Sequence, residues 1–150
     1  MSSSSKKAKP DACGILANLW QLIQSVLDAS EADMEALGLS PKAFFLLAAV
    51  EENPFPAEIA RKMHLPPPTV TYLVKQLEEK GFLERRSEPG DLRKFRLVQT
   101  VAGTKALEQG QEILGQVLGK RLHRLDREEI VTFDEIVKRL AGRNGDDVKP

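Results

Sequence analysis

Hydrophobic residues recur at helical spacing along most of this chain. In the N-terminal part they fall three or four residues apart from Ile15 to Leu27, which predicts a first helix that begins near Asp11. The pattern allows this helix to continue to Leu37, and the Gly38 that follows is typical of a helix C-terminus. We therefore expect a long amphipathic helix in this part of the chain.

The next two helices are predicted from a shorter and more apolar stretch. Ser40 and the proline after it are typical of a helix start, because serine caps the first turn and proline is tolerated at its first position. The following residues are apolar on nearly all sides, so we expect this second helix to be buried and to end at Asn53-Pro54. A short third helix is predicted from Pro56 to Met63.

A fourth helix follows a turn at His64 and three consecutive prolines. Proline is tolerated only in the first turn of a helix and disfavours helix in the residue before it, so this helix should begin near Pro68. Gly81 should close it. Its predicted buried stripe, at positions i, i+3, i+4 and i+7, consists of Val70, Leu73, Val74 and Leu77.

The period of the pattern changes after the fourth helix. Residues 82–86 and 93–98 are short β-like runs, and residues 87–91 between them have the composition of a turn. These features predict a β-hairpin. Its side chains are mainly basic, with Arg85, Arg86, Arg93, Lys94 and Arg96 set against Glu88 and Asp91.

Two further helices complete the pattern. Thr100 is a suitable N-cap for a long fifth helix, and Asp126 followed by Glu129 fits a capping box that starts a sixth. The predicted fold class is therefore mainly α with a small β-hairpin. We expect a disordered tail over residues 1–10, a single domain over 11–141 and a polar tail over 142–150.

Basic and acidic residues are distributed unevenly along the chain, although the net charge does not show it. The 150 residues include 22 basic and 22 acidic side chains, so the net charge is zero. Residues 1–10 nevertheless carry +3, residues 11–60 carry −7, residues 61–96 carry +4 and residues 97–150 are balanced. The positive block contains the fourth helix and the hairpin, which favours a local nucleic-acid-binding surface there.

Motifs of enzymes and cofactor-binding proteins are missing from the sequence. It contains no P-loop, dinucleotide-binding glycine pattern or nucleophile elbow. One cysteine and two histidines exclude an internal disulfide and a four-ligand Cys/His zinc site. No run reaches the roughly 18 apolar residues of a membrane span, and no secretory signal is visible. We predict no enzymatic activity, no cofactor, no metal site and no membrane contact, and a cytoplasmic location.

The order of helix, short turn, helix and basic hairpin is that of a winged helix-turn-helix. The segments AEIARKMHLPPPTVTYLVKQLEEKGFLERR (57–86) and GDLRKFRLVQT (90–100) resemble the DNA-binding core of the MarR family of bacterial transcriptional regulators. The family's wing carries an Asp-x-Arg motif, matched here by Asp91 and Arg93. A Thr-x-x-Gly motif often follows that wing and is matched by Thr100 and Gly103.

The resemblance extends over about residues 11–141, with a winged core at about 41–100 and dimerisation helices at about 11–37 and 101–141. It implies a homodimeric repressor that binds an inverted-repeat operator in double-stranded DNA. It also implies release by a small molecule, possible effectors being aromatic or phenolic. The chain departs from the family at His64, which replaces the turn glycine, and at Tyr72, where many members carry arginine.

Candidate DNA contacts lie on the fourth helix and on the hairpin. Since a helix turns by about 100° per residue, the face opposite the buried stripe is calculable. The candidates on this face are Pro68, Thr69, Thr71, Tyr72, Lys75 and Gln76. The two threonines, the tyrosine and the glutamine are expected to read base edges. The hairpin candidates are Arg85, Arg86, Asp91, Arg93, Lys94 and Arg96. The resemblance implies that Arg93 enters the minor groove and is held by Asp91. For the helix candidates and for the hairpin candidates, the alternative is an ordinary solvated surface with no DNA contact.

Three further interpretations stay open at the level of sequence. Trp20, Phe44 and Phe45 are candidates for lining an effector pocket, or else belong to the core. Cys13 near the start of the first helix is either a redox sensor or an inert packed residue. Finally, the winged helix could be a protein–protein interaction module instead of a DNA-binding one.

Overall fold

The computed structural model describes residues 8–142, apart from the side chains of Leu92 and Arg93. Its elements are, in order, α1 (Ala12–Leu37), α2 (Pro41–Ala49), α3 (Pro56–Lys62), α4 (Pro67–Glu79), β1 (Leu83–Glu88), β2 (Asp91–Gln99), α5 (Val101–Leu122) and α6 (Arg127–Leu140). This order confirms the predicted fold class. The predicted tails lie mostly outside the described residues.

The ends of α1 and the start of α2 are set by local capping. The Asp11 carboxylate accepts a hydrogen bond from the backbone N–H of Cys13 at 2.9 Å. Gly38 follows the last turn of α1 with a φ of 76°, the left-handed conformation that glycine adopts without steric cost. The Ser40 hydroxyl oxygen accepts from the N–H of Ala43 at 3.2 Å, which fixes the first turn of α2. The predicted boundaries at these three places are confirmed.

Two predicted helix boundaries differ from the structure. The prediction that α2 continues to Asn53-Pro54 is wrong, because the helix ends at Ala49 and a turn follows, in which the Asn53 N–H donates to the Ala49 carbonyl at 2.9 Å. Pro54 disfavours the helical conformation at the residue before it, so the chain leaves the helix one turn earlier. α4 starts at Pro67 rather than near Pro68, since Pro66 occupies the cap position.

A helix-turn-helix is formed by α3 and α4, which pack directly against each other. His64 lies in the turn between them with a φ of 53°, the one positive value for a non-glycine residue in the described chain. This matches the expectation that histidine replaces a glycine there. The core beneath the two helices also takes in α2 and the hairpin. Its most deeply buried side chains include Leu46, Leu47, Ile59, Val70, Val74, Leu77, Leu83 and Leu97.

The hairpin of β1 and β2, residues 83–99, is the wing of this fold. The strands are antiparallel, with Leu83 opposite Gln99 and an irregular register next to the turn. Both strands are longer than predicted, because Ser87 and Glu88 pair across the hairpin although their types favour turns. The Leu97 N–H donates to the Pro54 carbonyl at 2.8 Å, which ties the wing to the chain after α2.

The start of α5 lies very close to the end of the helix-turn-helix. The Thr100 hydroxyl oxygen accepts from the Gly103 N–H at 2.9 Å, as expected of an N-cap, and donates to the Gly81 carbonyl. A β-carbon at position 103 would lie 2.0 Å from the Phe82 carbonyl oxygen. Glycine is therefore required at position 103 by this backbone approach.

The chain divides into two compact units, one ending at Leu114 and the other beginning at Gly115. The second unit contains the end of α5 and all of α6. The predicted capping box is present at the start of α6, where Asp126 and Glu129 each bind the other's backbone N–H at 2.9 Å. No residue of α6 is buried in the single chain. None of the described helices is both long enough and apolar enough to cross a bilayer, and a cytoplasmic location stays a prediction.

Candidate nucleic-acid interface

α4 presents one face to the core and the opposite face to solvent. The predicted stripe is confirmed, since Val70, Leu73, Val74 and Leu77 are all buried. On the other side Pro68, Thr71, Tyr72 and Lys75 are exposed, whereas Thr69 and Gln76 are half-buried at its edges. The six candidates for DNA contact are thus on the accessible part of the helix. Their contacts with DNA stay a prediction.

Two hydrogen bonds organise the side chains on the exposed face of α4. The Gln76 amide nitrogen donates to the Tyr72 hydroxyl oxygen at 2.9 Å, one turn earlier on the helix. The Thr71 hydroxyl donates to the Pro67 backbone carbonyl at 3.1 Å. Because Tyr72 and Gln76 hold each other, they present their remaining polar atoms in a fixed arrangement. Such pairs are favoured at a spacing of four residues.

Arg86 and Arg96 on the wing are engaged with nearby acids. Arg86 lies 3.7 Å from the Glu84 carboxylate and Arg96 lies 3.3 Å from that of Glu88. The Arg86–Glu84 pair is exposed and the Arg96–Glu88 pair is partly exposed, and ion pairs in contact with solvent contribute little to stability. Each pair still lowers the local positive potential until DNA phosphate competes with the acid. Lys94 is also exposed on the wing.

Arg85 is placed differently from the other basic residues of the wing. Its guanidinium donates to the Glu78 carboxylate on α4 and lies 4.5 Å from the centre of the Phe95 ring on β2. Arg85 therefore connects the helix to both strands of the wing. This role was not predicted from the sequence. The register places Arg85 and Phe95 diagonally across the hairpin, so the pairing of the two strands is the signal that could have found it.

The predicted minor-groove contact is not described by this structure. The side chain of Arg93 lies outside the described residues, so its contact with Asp91 is untested. Asp91 itself is exposed at the start of β2. The tip of the wing is formed by Pro89 and by Gly90, whose φ is 90°.

The three aromatic residues proposed for an effector pocket occupy different environments. Phe44 belongs to the core, and its ring meets that of Phe45 edge-on with the centroids 5.1 Å apart. Phe45 and Trp20 are each more than half exposed. Two cavities are described, one of about 550 Å³ between the end of α2 and the wing and one of about 300 Å³ beside the end of α1. Neither of these two cavities is lined by any of the three aromatic residues.

Cys13 is exposed in the first turn of α1. Its exposure decides neither of the two interpretations, redox sensor or inert packed residue, and both stay predictions. Among the described residues, no group of three His, Cys, Asp or Glu side chains is placed to hold a metal ion.

Comparison with known proteins finds similarity to one family of regulators. Residues 37–94 match the model of the MarR family. The crystal structure of wild-type MarR from E. coli in its apo form has a TM-score of 0.71 to this structure, covering 88% of this chain and 98% of that chain at 20% identity. The matched segment contains the helix-turn-helix and most of the wing, so this part of the chain is similar to the MarR family in sequence, and the chain shares the fold of MarR. The predicted resemblance and the winged-helix fold are thereby confirmed.

Two further proteins that are similar to this chain in sequence or in fold have names that describe a role or a complex. The HTH-type transcriptional repressor MdtR of Bacillus subtilis (strain 168) is 27% identical over 129 residues, which is 85% of this chain and 83% of that protein. The S. aureus MepR–DNA complex shares the fold, with a TM-score of 0.69 and 18% identity over 85% of this chain and 96% of that chain. MdtR is thus a transcriptional repressor by name, and MepR, which shares the fold, has been crystallised on DNA.

Proposed function

We propose that this chain is a sequence-specific DNA-binding transcriptional repressor of the MarR type that acts as a homodimer and is released by a small molecule. The observation that carries the proposal is the geometry of α4. One face of the helix is anchored in the core, and the other offers Tyr72, Lys75 and Gln76 to solvent beside a wing rich in arginine. This is the arrangement in which a winged helix-turn-helix inserts its second helix into the major groove.

The similarity to MarR-family proteins supports the same proposal. MdtR is a repressor by name, and MepR forms a complex with DNA. The proposal assigns no enzymatic activity to the chain, because these relatives are transcriptional regulators. A homodimer would place two copies of α4 on the two halves of an inverted repeat, with half-sites about 10 base pairs apart.

A dimer would also cover apolar surface that the single chain leaves exposed. Leu16 and Trp20 on α1 are 66% and 63% exposed, and Leu140 on α6 is 78% exposed. The position of an effector pocket is proposed from the resemblance alone, at Trp20, Phe44 and Phe45. Effector binding would be detected through Trp20, the single tryptophan of the chain.

The decisive experiment compares two variants on an operator selected from random duplex DNA. Gln76→Ala should relax the preference at one base pair, at a cost of about 1–3 kcal/mol, and leave the salt dependence nearly intact. Arg93→Ala should weaken specific and non-specific binding alike, and should reduce the slope of log K against log salt by about 0.9 for each phosphate that the variant no longer neutralises.

The outcomes of this experiment separate the proposed function from its alternative. Identical behaviour of the two variants would show that helix and wing do not divide base and backbone contacts. If no sequence is enriched from the random pool, and neither variant changes the weak binding to DNA, the protein–protein interaction module becomes the better interpretation.

A further inference from the structure

The first turn of α4 has no free backbone amide to offer a phosphate. Pro66 at the cap and Pro67 and Pro68 at the first two helical positions carry no N–H. The next two amides, those of Thr69 and Val70, both donate to the Pro66 carbonyl at 3.0 and 3.2 Å. A helix N-terminus usually binds anions through such amides, and many DNA-binding proteins contact phosphate in this way. In this chain that contact is chemically blocked.

The exposed surface of the same turn is apolar instead. All three prolines are exposed, and Pro68 lies at the centre of the face opposite the buried stripe. Tyr72, four residues later on this face, is 60% exposed. The Thr71 hydroxyl donates back to the Pro67 carbonyl, so its methyl group is the part left for an external contact. The pyrrolidine ring, the threonine methyl group and the tyrosine ring thus form a small apolar surface at the tip of α4.

We propose that this apolar surface, formed by Pro68, Thr71 and Tyr72, reads thymine 5-methyl groups in the major groove. The inference rests on the proposed function and names the base chemistry that this end of the helix recognises. Thymine is the only standard base that presents an apolar group in the major groove. Lys75, exposed on the same face one turn beyond Tyr72, provides a positive charge for the phosphate backbone beside it.

Different turns of α4 therefore divide the recognition of the bases. The apolar surface of Pro68, Thr71 and Tyr72 reads methyl groups by apolar contact, without hydrogen bonds. About one turn beyond Tyr72, Gln76 reads a hydrogen-bonding edge, because its free amide oxygen and remaining amide N–H suit adenine and its hydrogen bond to the Tyr72 hydroxyl holds the amide in place. The half-site should then contain thymine beside the apolar surface and adenine where Gln76 lies.

The test replaces thymine by deoxyuridine in the selected operator, one position at a time. This exchange deletes the 5-methyl group and keeps every hydrogen-bonding group of the base pair. For the native protein, affinity should fall about fourfold at one or two positions of each half-site, the factor expected when one methyl-sized group is no longer buried. Other thymines of the operator should show no effect.

Matched variants connect the effect to the named residues. Thr71→Ser keeps the hydroxyl group and removes the methyl group, so sensitivity to deoxyuridine should disappear at one position. Thr71→Val keeps a methyl group and removes the hydroxyl, so the sensitivity should remain. Pro68→Ser should abolish the sensitivity at a second position. Melting temperatures measured for all variants verify that each is folded under the conditions of the binding assay.

Two results would overturn the inference while leaving the proposed function intact. One is an operator that binds the native protein equally well with deoxyuridine at every thymine position. The other is undiminished deoxyuridine sensitivity in the Pro68→Ser, Thr71→Ser double variant. Failure of the proposed function looks different, because then no operator would be enriched from random DNA at all.

Discussion

His64 holds a backbone conformation that is unfavourable for any residue with a β-carbon. Its φ of 53° places it in the left-handed region, which costs an L-residue about 1–2 kcal/mol. The side chain is exposed. The strain is therefore imposed by the tight connection between α3 and α4, and only the favourable packing of these helices keeps it in place.

We expect His64→Gly to stabilise the protein by about 0.5–1 kcal/mol. Glycine relieves the left-handed strain, and part of that gain is offset by the greater freedom of glycine in the unfolded chain. The melting temperature should rise by about 2 °C. Thermal unfolding of His64→Ala is the control, because alanine removes the imidazole and keeps the strain. A glycine variant no more stable than the alanine variant would contradict this account.

Single-residue features were predictable from sequence where they depend on near neighbours. The caps at Asp11, Ser40 and Asp126 depend on residues two or three positions away, and the helix starts that they define were predicted correctly. The pairing of Tyr72 with Gln76 was accessible in the same way, at a spacing of four. The partners of Arg85 were not, because Glu78 and Phe95 meet it only after the wing has folded against α4.

At the scale of elements, the orientation of the wing relative to α4 depends on a few contacts. Arg85 joins Glu78 on the helix to Phe95 on the second strand, and Leu97 is bonded to the chain after α2. An arginine stacked on an aromatic ring contributes about 0.5–1 kcal/mol at an exposed site. We therefore regard Arg85 as a positioning residue of the wing.

We expect Arg85→Met to weaken DNA binding without changing its salt dependence. The methionine keeps an apolar contact with the wing but has neither the ion pair nor the stacked guanidinium, so the wing is held less firmly. Arg85 is paired with Glu78 rather than with a DNA phosphate. The variant should therefore release as many counterions from DNA on binding as the native protein does.

The control for this prediction is Lys94→Met, which also removes one positive charge from the wing. If Lys94 contacts phosphate, the slope of log K against log salt should fall by about 0.9 in this variant. Equal decreases of slope in the two variants would show that Arg85 contacts DNA directly.

Element boundaries were less predictable than element types. The turn composition of residues 87–91 suggested a wide loop, yet cross-strand pairing extends both strands toward Pro89 and Gly90. The end of α2 was misplaced for a similar reason. The sequence of α2 remains apolar up to Val50. The turn that follows the helix and Pro54 after it nevertheless determine that the helix ends at Ala49.

At the scale of the whole molecule, the single chain exposes apolar side chains that a second copy of the chain could cover. Leu16, Trp20 and Ile23 are exposed along one face of α1, spaced as i, i+4 and i+7. α6 adds exposed Val131, Ile136, Val137 and Leu140, and none of its residues is buried. At positions 115 and 119 on α5, apart from the neighbouring turns of α5 itself, no atom of residues 8–142 lies within 4 Å of where a β-carbon would be, which leaves room for a second helix.

We expect Leu16→Glu to raise the dimer dissociation constant by at least about a hundredfold. A dimer would bury two copies of the side chain, and burial of one leucine contributes about 1.5–3 kcal/mol. Sedimentation of the native protein and the variant over a range of concentrations gives the two constants. Trp20 emission should shift to the blue as the native dimer forms, because its indole leaves water.

Asn18→Glu is the matched control for this experiment. It introduces the same charge on α1 two residues later, on a different face of the helix. A dimer equally weakened by both substitutions would point to a general charge effect. A native protein that sediments as a monomer of 16.7 kDa at micromolar concentration would exclude the dimer altogether.

The three prolines at the start of α4 also determine how this protein can be observed. Residues 66–68 carry no amide proton, so they give no peak in a proton–nitrogen correlation spectrum and no signal in deuterium exchange. Sequential resonance assignment is interrupted there, just before the part of the helix that we propose to contact DNA. Spectroscopic study of how this helix meets its target will therefore depend on carbon-detected experiments or on proline ring protons.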